Sequence, residues 1–249
     1  MGLSALVITP TTGAPELADA INSVLAQTYT DVEHLIVIDG SKFSKNTDDT
    51  LERSGIKIGD KVKRIDLPFN TGGNGYYGHR VMAGFSHLFN HDYVLFLDQD
   101  NWYEPDHVKS LIDDIKKYNF EWAYSLRKIY DKDRNFMMND NCESLGRWPA
   151  WVADNAFLID SSSYCFTNNF IRMVGHIWDF GWGADRRFYT IVKDQIGHNN
   201  YGCSNKFTLN YRLGGNDGSV TAEFFNQGNA KMIAKYGSEK NLPWQQQIT

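Results

Sequence analysis

Cysteine is scarce in this chain. There are 3 in 249 residues, Cys142, Cys165 and Cys203. An odd number without C-x-x-C spacing argues against a disulfide framework and against a zinc site. Positive charge is in deficit, with 25 Lys and Arg against 30 Asp and Glu, net -5. That balance sets electrostatics against a nucleic-acid partner. No apolar run is long enough to span a membrane. The opening "MGLSALVITP" is short and has no charged leading region, so the reading is a cytoplasmic protein without a targeting segment. Internal repeats and low-complexity stretches are absent as well.

What remains is ordinary globular material, 42% hydrophobic and 22% charged, in a length that suits one large domain with a sizeable core. Aromatics are plentiful at 14%, and seven are Trp. Such residues build cores, and they also offer flat faces to ligands.

The first half alternates strand and helix signals. "LSALVITP" is a near-continuous apolar run, as expected of a strand covered on both faces. Leu17, Ala20, Ile21, Val24 and Leu25 then recur at helical spacing behind Pro15 and Glu16. "EHLIVID" is a second buried run, and "KVKRIDL" a third, more exposed one. Val81, Phe85 and Leu88 share a helical face. "YVLFLD" is a fourth strand, and the helix opened by Pro105 has the apolar face Val108, Leu111, Ile112 and Ile115. Strand–helix alternation predicts an α/β fold, a mostly parallel central sheet with helices on both faces. The second half is less regular. It holds a hairpin turning at Lys132-Asp133 and a late helix, "TAEFFNQGNAKMIAKYG", ended by Gly237. The expected division of one domain is a regular half, 1–104, and an irregular half with the last helix, 105–249.

The strand ends are polar. The first run stops at Thr9-Pro10-Thr11-Thr12, the second at Asp39-Gly40-Ser41, the fourth at Asp98-Gln99-Asp100. Strand carboxyl ends lie along one edge of a parallel sheet, where ligands bind. Thr11, Asp39, Asp98 and Asp100 are therefore expected around one site. Asp39 taken alone also reads as an Asx turn leaving its strand. Two carboxylates one residue apart repel unless water or a cation intervenes. Mg²⁺ or Mn²⁺ suits such a pair, with phosphate oxygens filling the coordination shell. The pair implies a phosphorylated ligand as well as an ion.

At this point the chain resembles the family 2 glycosyltransferases of the GT-A fold. The segments that carry the likeness are "ALVITPTTGAPELADAINSVLAQTYTDVEHLIVIDGS", "FNTGGNGYYGHRVMAG", "YVLFLDQDNWYEPDHV" and "GHIWDFGWGADRRF". The resemblance implies that Pro10, Thr11 and Asp39 hold the nucleotide base, with Asp39 accepting from its imide N–H. It places Gly73, Asn74 and Arg80 near the base or diphosphate. Asp98 and Gln99 join the nucleotide site, Asp98 contacts ribose or metal, Asp100 ligates the metal, and Asp185 is the general base. The implied donor is a nucleotide sugar, with UDP favoured by the Asp39 position. The implied acceptor is a carbohydrate or other hydroxyl compound. The chain departs from the family pattern where Ala184 precedes the base, at "GHR", and at Gly214, where the family often carries a His. A third protein metal ligand is then either missing or supplied by another residue such as His198. Trp178 and Trp182 flank Asp185, and at least one is expected to face the acceptor.

Two rival readings use the same residues. One is a nucleotidyltransferase, although "TPTTGAPEL" after the first strand carries no Lys or Arg for a basic phosphate loop. The other is a non-catalytic carbohydrate-binding protein, which fits if Asp185 does not face the donor.

Overall fold

A computed structural model describes residues 3–215 and 220–246. Its strands are β1 (Ala5–Thr11), β2 (Val32–Ile38), β3 (Val62–Asp66), β4 (Tyr93–Phe96), β5 (Trp102–Tyr103), β6 (Trp122–Tyr130), β7 (Phe136–Asn139), β8 (Tyr164–Thr167) and β9 (Tyr201–Arg212). Its α-helices are α1 (Leu17–Leu25), α2 (Ser44–Ser54), α3 (His79–Phe85), α4 (His107–Tyr118), α5 (Asn168–Val174), α6 (Ala184–Thr190) and α7 (Ala222–Tyr236). The strands form one sheet in the order β3-β2-β1-β4-β8-β6-β9-β5, with β7 beside β6.

The first four strands are parallel, as their buried apolar runs and intervening helices predict. Period-two alternation sends Leu6 and Ile8 to one face and Ala5 and Val7 to the other. Helices α1 and α4 cover the second face through Ala20, Val24, Val108, Leu111, Ile112 and Ile115. Each such buried Val, Leu or Ile side chain contributes about 1.5–3 kcal/mol. Beyond β4 the sheet becomes mixed. β8 runs antiparallel to β4 and β6, and β9 runs parallel to β6. The sheet is therefore continuous across residue 104, through both expected halves.

The aromatic surplus sits under this mixed part. Trp122, Tyr124, Tyr164, Phe166, Phe170, Phe188, Tyr189 and Trp178 are all buried there. The hairpin forms as expected, with β6 and β7 joined through Asp131–Asn135. The late helix α7 starts at Thr221, whose hydroxyl accepts from the Phe224 N–H, and stops at Gly237 in the left-handed region.

Two expected core residues are not core. Leu25 is the last residue of α1 and is exposed, and Leu88 lies past the end of α3 and is exposed too. Helix α2 gave no clear signal because its sequence, "SKNTDDTLERS", has one large apolar residue, the buried Leu51.

Candidate active site

Sheet register explains why distant residues meet. Thr11 pairs with Ile38 across β1 and β2, and the Asp39 N–H donates to the Thr11 carbonyl at 2.9 Å. Ile8 pairs with Phe96 across β1 and β4, so Asp98 emerges beside the end of β1. Antiparallel β8 then brings the turn before it, Ser161–Ser163, to the same edge. A cleft of about 560 Å³ opens there. Pro10, Thr11, Asp39, Asp98, Gln99, Asp100, Trp182 and Asp185 all line it. That size is typical of a small-ligand site.

Asp98 is held by Ser161 and Ser162, whose hydroxyls donate to Oδ2 at 3.1 and 3.2 Å. Its Oδ1 takes no protein donor among the described residues. Burial, then the Asp160 and Asp100 carboxylates, push Asp98 up to about 8. Burial pushes Asp100 up to about 6. A carboxylate pair so reluctant to ionise alone is a ready partner for a divalent cation. Two carboxylates with phosphate and water oxygens suit Mg²⁺ or Mn²⁺, so the donor set fits the ion. Among the described residues no group of three or more His, Cys, Asp or Glu forms a metal cluster. Gly215 passes so close to Asp100 that a Cβ there would stand 2.0 Å from Oδ2.

Gln99 joins the two strand ends. Its Oε1 accepts from the Thr11 hydroxyl at 2.7 Å and from the Thr12 N–H at 3.0 Å. Asp39 is saturated within the protein. Its Oδ1 accepts from the Thr71 N–H at 2.7 Å and the Thr71 hydroxyl at 2.8 Å, and Oδ2 from the Gly72 N–H at 2.7 Å and Asn70 at 3.1 Å. Both lone pairs of each oxygen are thus used, so a base imide at this position has to displace one of these four donors. Asp39 also clamps the 70–72 segment onto the cleft wall. Gly72 permits this, because a Cβ there would meet the Tyr77 carbonyl at 1.9 Å.

Several expected residues stand outside the cleft lining. Gly73 and Asn74 belong to the 72–78 loop without lining the cleft. Arg80 does not line the cleft; its Nε donates to Asp179 at 3.1 Å, its Nη1 donates to the Thr71 carbonyl at 3.4 Å, and its guanidinium covers the Tyr76 ring. Trp178 cannot face an acceptor. It is fully buried and stacks on Phe188, with ring centroids 4.3 Å apart. Its spacing from Asp185 puts it in a 3₁₀ turn that packs inward. Trp182 is 72% exposed on the cleft rim. His198 is remote from Asp98 and Asp100: it pairs with Glu121 and Trp122 and packs on Phe170. Of "GGNDGS", Gly214 and Gly215 are described, and the rest lies outside the described residues.

Asp185 lies in the first turn of α6, after Gly183 in the left-handed region. Its Oδ1 accepts from the Arg186 N–H at 2.7 Å. Burial, reinforced by Asp160, raises its pKa. Sequence reasoning missed the buried network beneath. Arg127 is 3% exposed and donates to Asp140 at 2.8 Å, to Asp160 at 2.6 Å and to Glu143 at 2.6 Å. Glu143 also accepts from Arg186 at 2.7 Å. Register supplies the reason: Tyr124 pairs with Tyr164, so three residues on Arg127 reaches the Ser161 turn. Nothing in the local pattern "YSLRKIY" marks its Arg as buried.

The strand ends that carry Asp39, Asp98 and Asp100 lie in a segment that matches a known family. The model of the family described as "Glycosyl transferase family 2" matches residues 6–178. The chain belongs to glycosyl transferase family 2. An uncharacterized glycosyltransferase of Rickettsia conorii is 33% identical over 46% of this chain and 17% of its own length. One from Nostoc is 36% identical over 39% of this chain and 28% of its own. The chain thus spans a small part of these family relatives. Among solved structures, a mannosyltransferase of Pyrobaculum calidifontis in complex with GDP-Man and Mn²⁺ superposes with a TM-score of 0.61 at 13% identity, covering 94% of this chain and 64% of that one. S. aureus TarS, residues 1–349 in complex with UDP, gives 0.57 at 16% identity, covering 94% and 65%. These likenesses establish the GT-A glycosyltransferase fold for this family member. Family membership removes the nucleotidyltransferase reading.

Proposed function

We propose that the chain is a metal-dependent, inverting glycosyltransferase that moves a sugar from a UDP-sugar to an acceptor hydroxyl. The observation that carries this reading is the placement of Asp98 and Asp100 in the same cleft as Asp185. One end is suited to a cation and diphosphate, the other to a proton acceptor.

The donor's diphosphate lies toward Asp98 and Asp100, and its base between the β1 end and the segment clamped by Asp39. Asp98 and Asp100 would hold Mg²⁺ or Mn²⁺, which when bound supplies electrostatic stabilisation for the leaving diphosphate. Asp185 takes the proton of the attacking hydroxyl. One of its oxygens is fixed by the Arg186 N–H, so the other is the acceptor. Its raised pKa strengthens it as a base. No enzyme nucleophile is required, and a single displacement inverts the anomeric carbon.

The test is a screen of UDP- and GDP-sugars with and without Mn²⁺. It follows thermal stabilisation and release of the nucleoside diphosphate. Metal-dependent stabilisation with turnover supports the reading. Stabilisation without turnover favours the non-catalytic alternative. A GDP-sugar preference moves the donor from UDP to GDP.

A further inference from the structure

A second cavity opens beside the cleft. It is a groove of about 500 Å³ that shares Trp182, Gly183 and Arg186 with the cleft wall and continues past Arg187 to Gln195. The two cavities differ in charge. The cleft sets Asp39, Asp98, Asp100, Glu143, Asp160 and Asp185 against Arg127 and Arg186, whereas the described lining of the groove holds Arg186 and Arg187 with no carboxylate.

We infer that this groove binds an acceptor sugar bearing an anionic group, a carboxylate or phosphate, and that Arg186 and Arg187 select it. The inference rests on the glycosyltransferase reading and names its acceptor class. Trp182, 72% exposed where the cavities meet, offers an indole face to a sugar ring. Arg186 commits one nitrogen to Glu143, and Arg187 commits one to the Ile177 carbonyl at 3.1 Å while lying over the Phe180 ring. Each guanidinium carries further N–H donors that take no acceptor among the described residues, in the fork geometry that suits carboxylate and phosphate. The groove floor is also irregular. Residues 191–195 form a π-turn, with the Ile196 N–H donating to the Ile191 carbonyl at 2.9 Å. Such turns are rare and gather at functional sites. An anionic sugar seated here would place its hydroxyls beside Asp185 at the shared wall.

Quenching of tryptophan fluorescence in the whole protein tests this without any donor. The probes are an oligogalacturonate, a hexose 6-phosphate and neutral maltotriose. The expected result is binding of at least one anionic probe about tenfold tighter than maltotriose, weakening with added salt. Whether the uronate or the phosphate wins names the anion. Arg187→Gln and Arg186→Gln each remove the preference, Arg187→Lys keeps part of it, and Trp182→Ala lowers affinity for all probes. Equal affinity for charged and neutral probes overturns the inference, as does absence of binding or an unchanged preference in both Gln variants. Release of UDP from a UDP-sugar is measured in the same samples. Anion preference without donor turnover leaves the groove standing and removes the transferase reading. Turnover without anion preference does the reverse.

Discussion

Glu143 joins two arginines: its Oε1 accepts from Arg186 at 2.7 Å and its Oε2 from Arg127 at 2.6 Å. The residue next to Asp185 is thereby tied to a cation buried beneath the sheet edge. Burial raises the Glu143 pKa, and Arg127 opposes that shift. Asp185, the proposed proton acceptor, therefore stands beside a network that must stay fully paired.

Removing the buried cation should be costly. Arg127→Met leaves Asp140, Glu143 and Asp160 facing each other without it. The loss is expected to be about 3–5 kcal/mol, the range for breaking a buried ion pair from one side. Urea unfolding checks this, and an unchanged midpoint means the network contributes nothing to stability.

The metal assignment is tested by Asp100→Ala. In the wild type, UDP with MnCl₂ raises the melting temperature, and in the variant that increment disappears. Asp100 is part of the proposed cation site only if affinity for UDP–Mn²⁺ falls.

Acidity gives a pH dependence with a definite sign. Asp98 and Asp100 titrate near 8 and 6 in the folded protein, above their ordinary value of 3.8. The folded state therefore holds these protons more tightly than the unfolded chain. The stability they contribute is complete below about pH 4 and is lost as pH rises through about 6 and then about 8. A divalent ion competes with the same protons, so its affinity grows over that interval. The melting temperature of metal-free protein should fall between about pH 5.5 and about pH 8, and the increment from UDP–Mn²⁺ should grow. A larger increment at the lower pH contradicts the assignment.

Asp185→Asn should keep UDP–Mn²⁺ binding and lose transfer by about 10²- to 10⁴-fold, the usual contribution of a general base. Side-by-side binding and turnover assays decide it. Full turnover removes Asp185 as the base.

The two tryptophans near Asp185 should behave oppositely. Trp178→Ala removes a fully buried indole and is expected to cost about 3–5 kcal/mol. Trp182→Ala should leave the unfolding midpoint within about 0.5 kcal/mol, as for a surface position. Comparable losses would show that Trp182 packs into the fold.

The sequence by itself determined the parallel half of the sheet. Buried strands covered on both faces must be continuously apolar, and α1 and α4 must repeat at helical spacing. Those local requirements are written in "LVITP", "LIVI" and "YVLF" and in Val108, Leu111, Ile112 and Ile115. They also fixed which polar residues follow each strand, and so gathered Thr11, Asp39, Asp98, Gln99 and Asp100 at one edge. Tertiary structure alone decided what these residues touch. That Asp39 spends its lone pairs on Thr71, Gly72 and Asn70, that Arg127 meets Asp160, and that Trp178 faces inward while Trp182 faces out all follow from antiparallel register and long-range packing. Contacts between residues tens of positions apart leave no period in the chain, since each depends on where a second segment comes to rest.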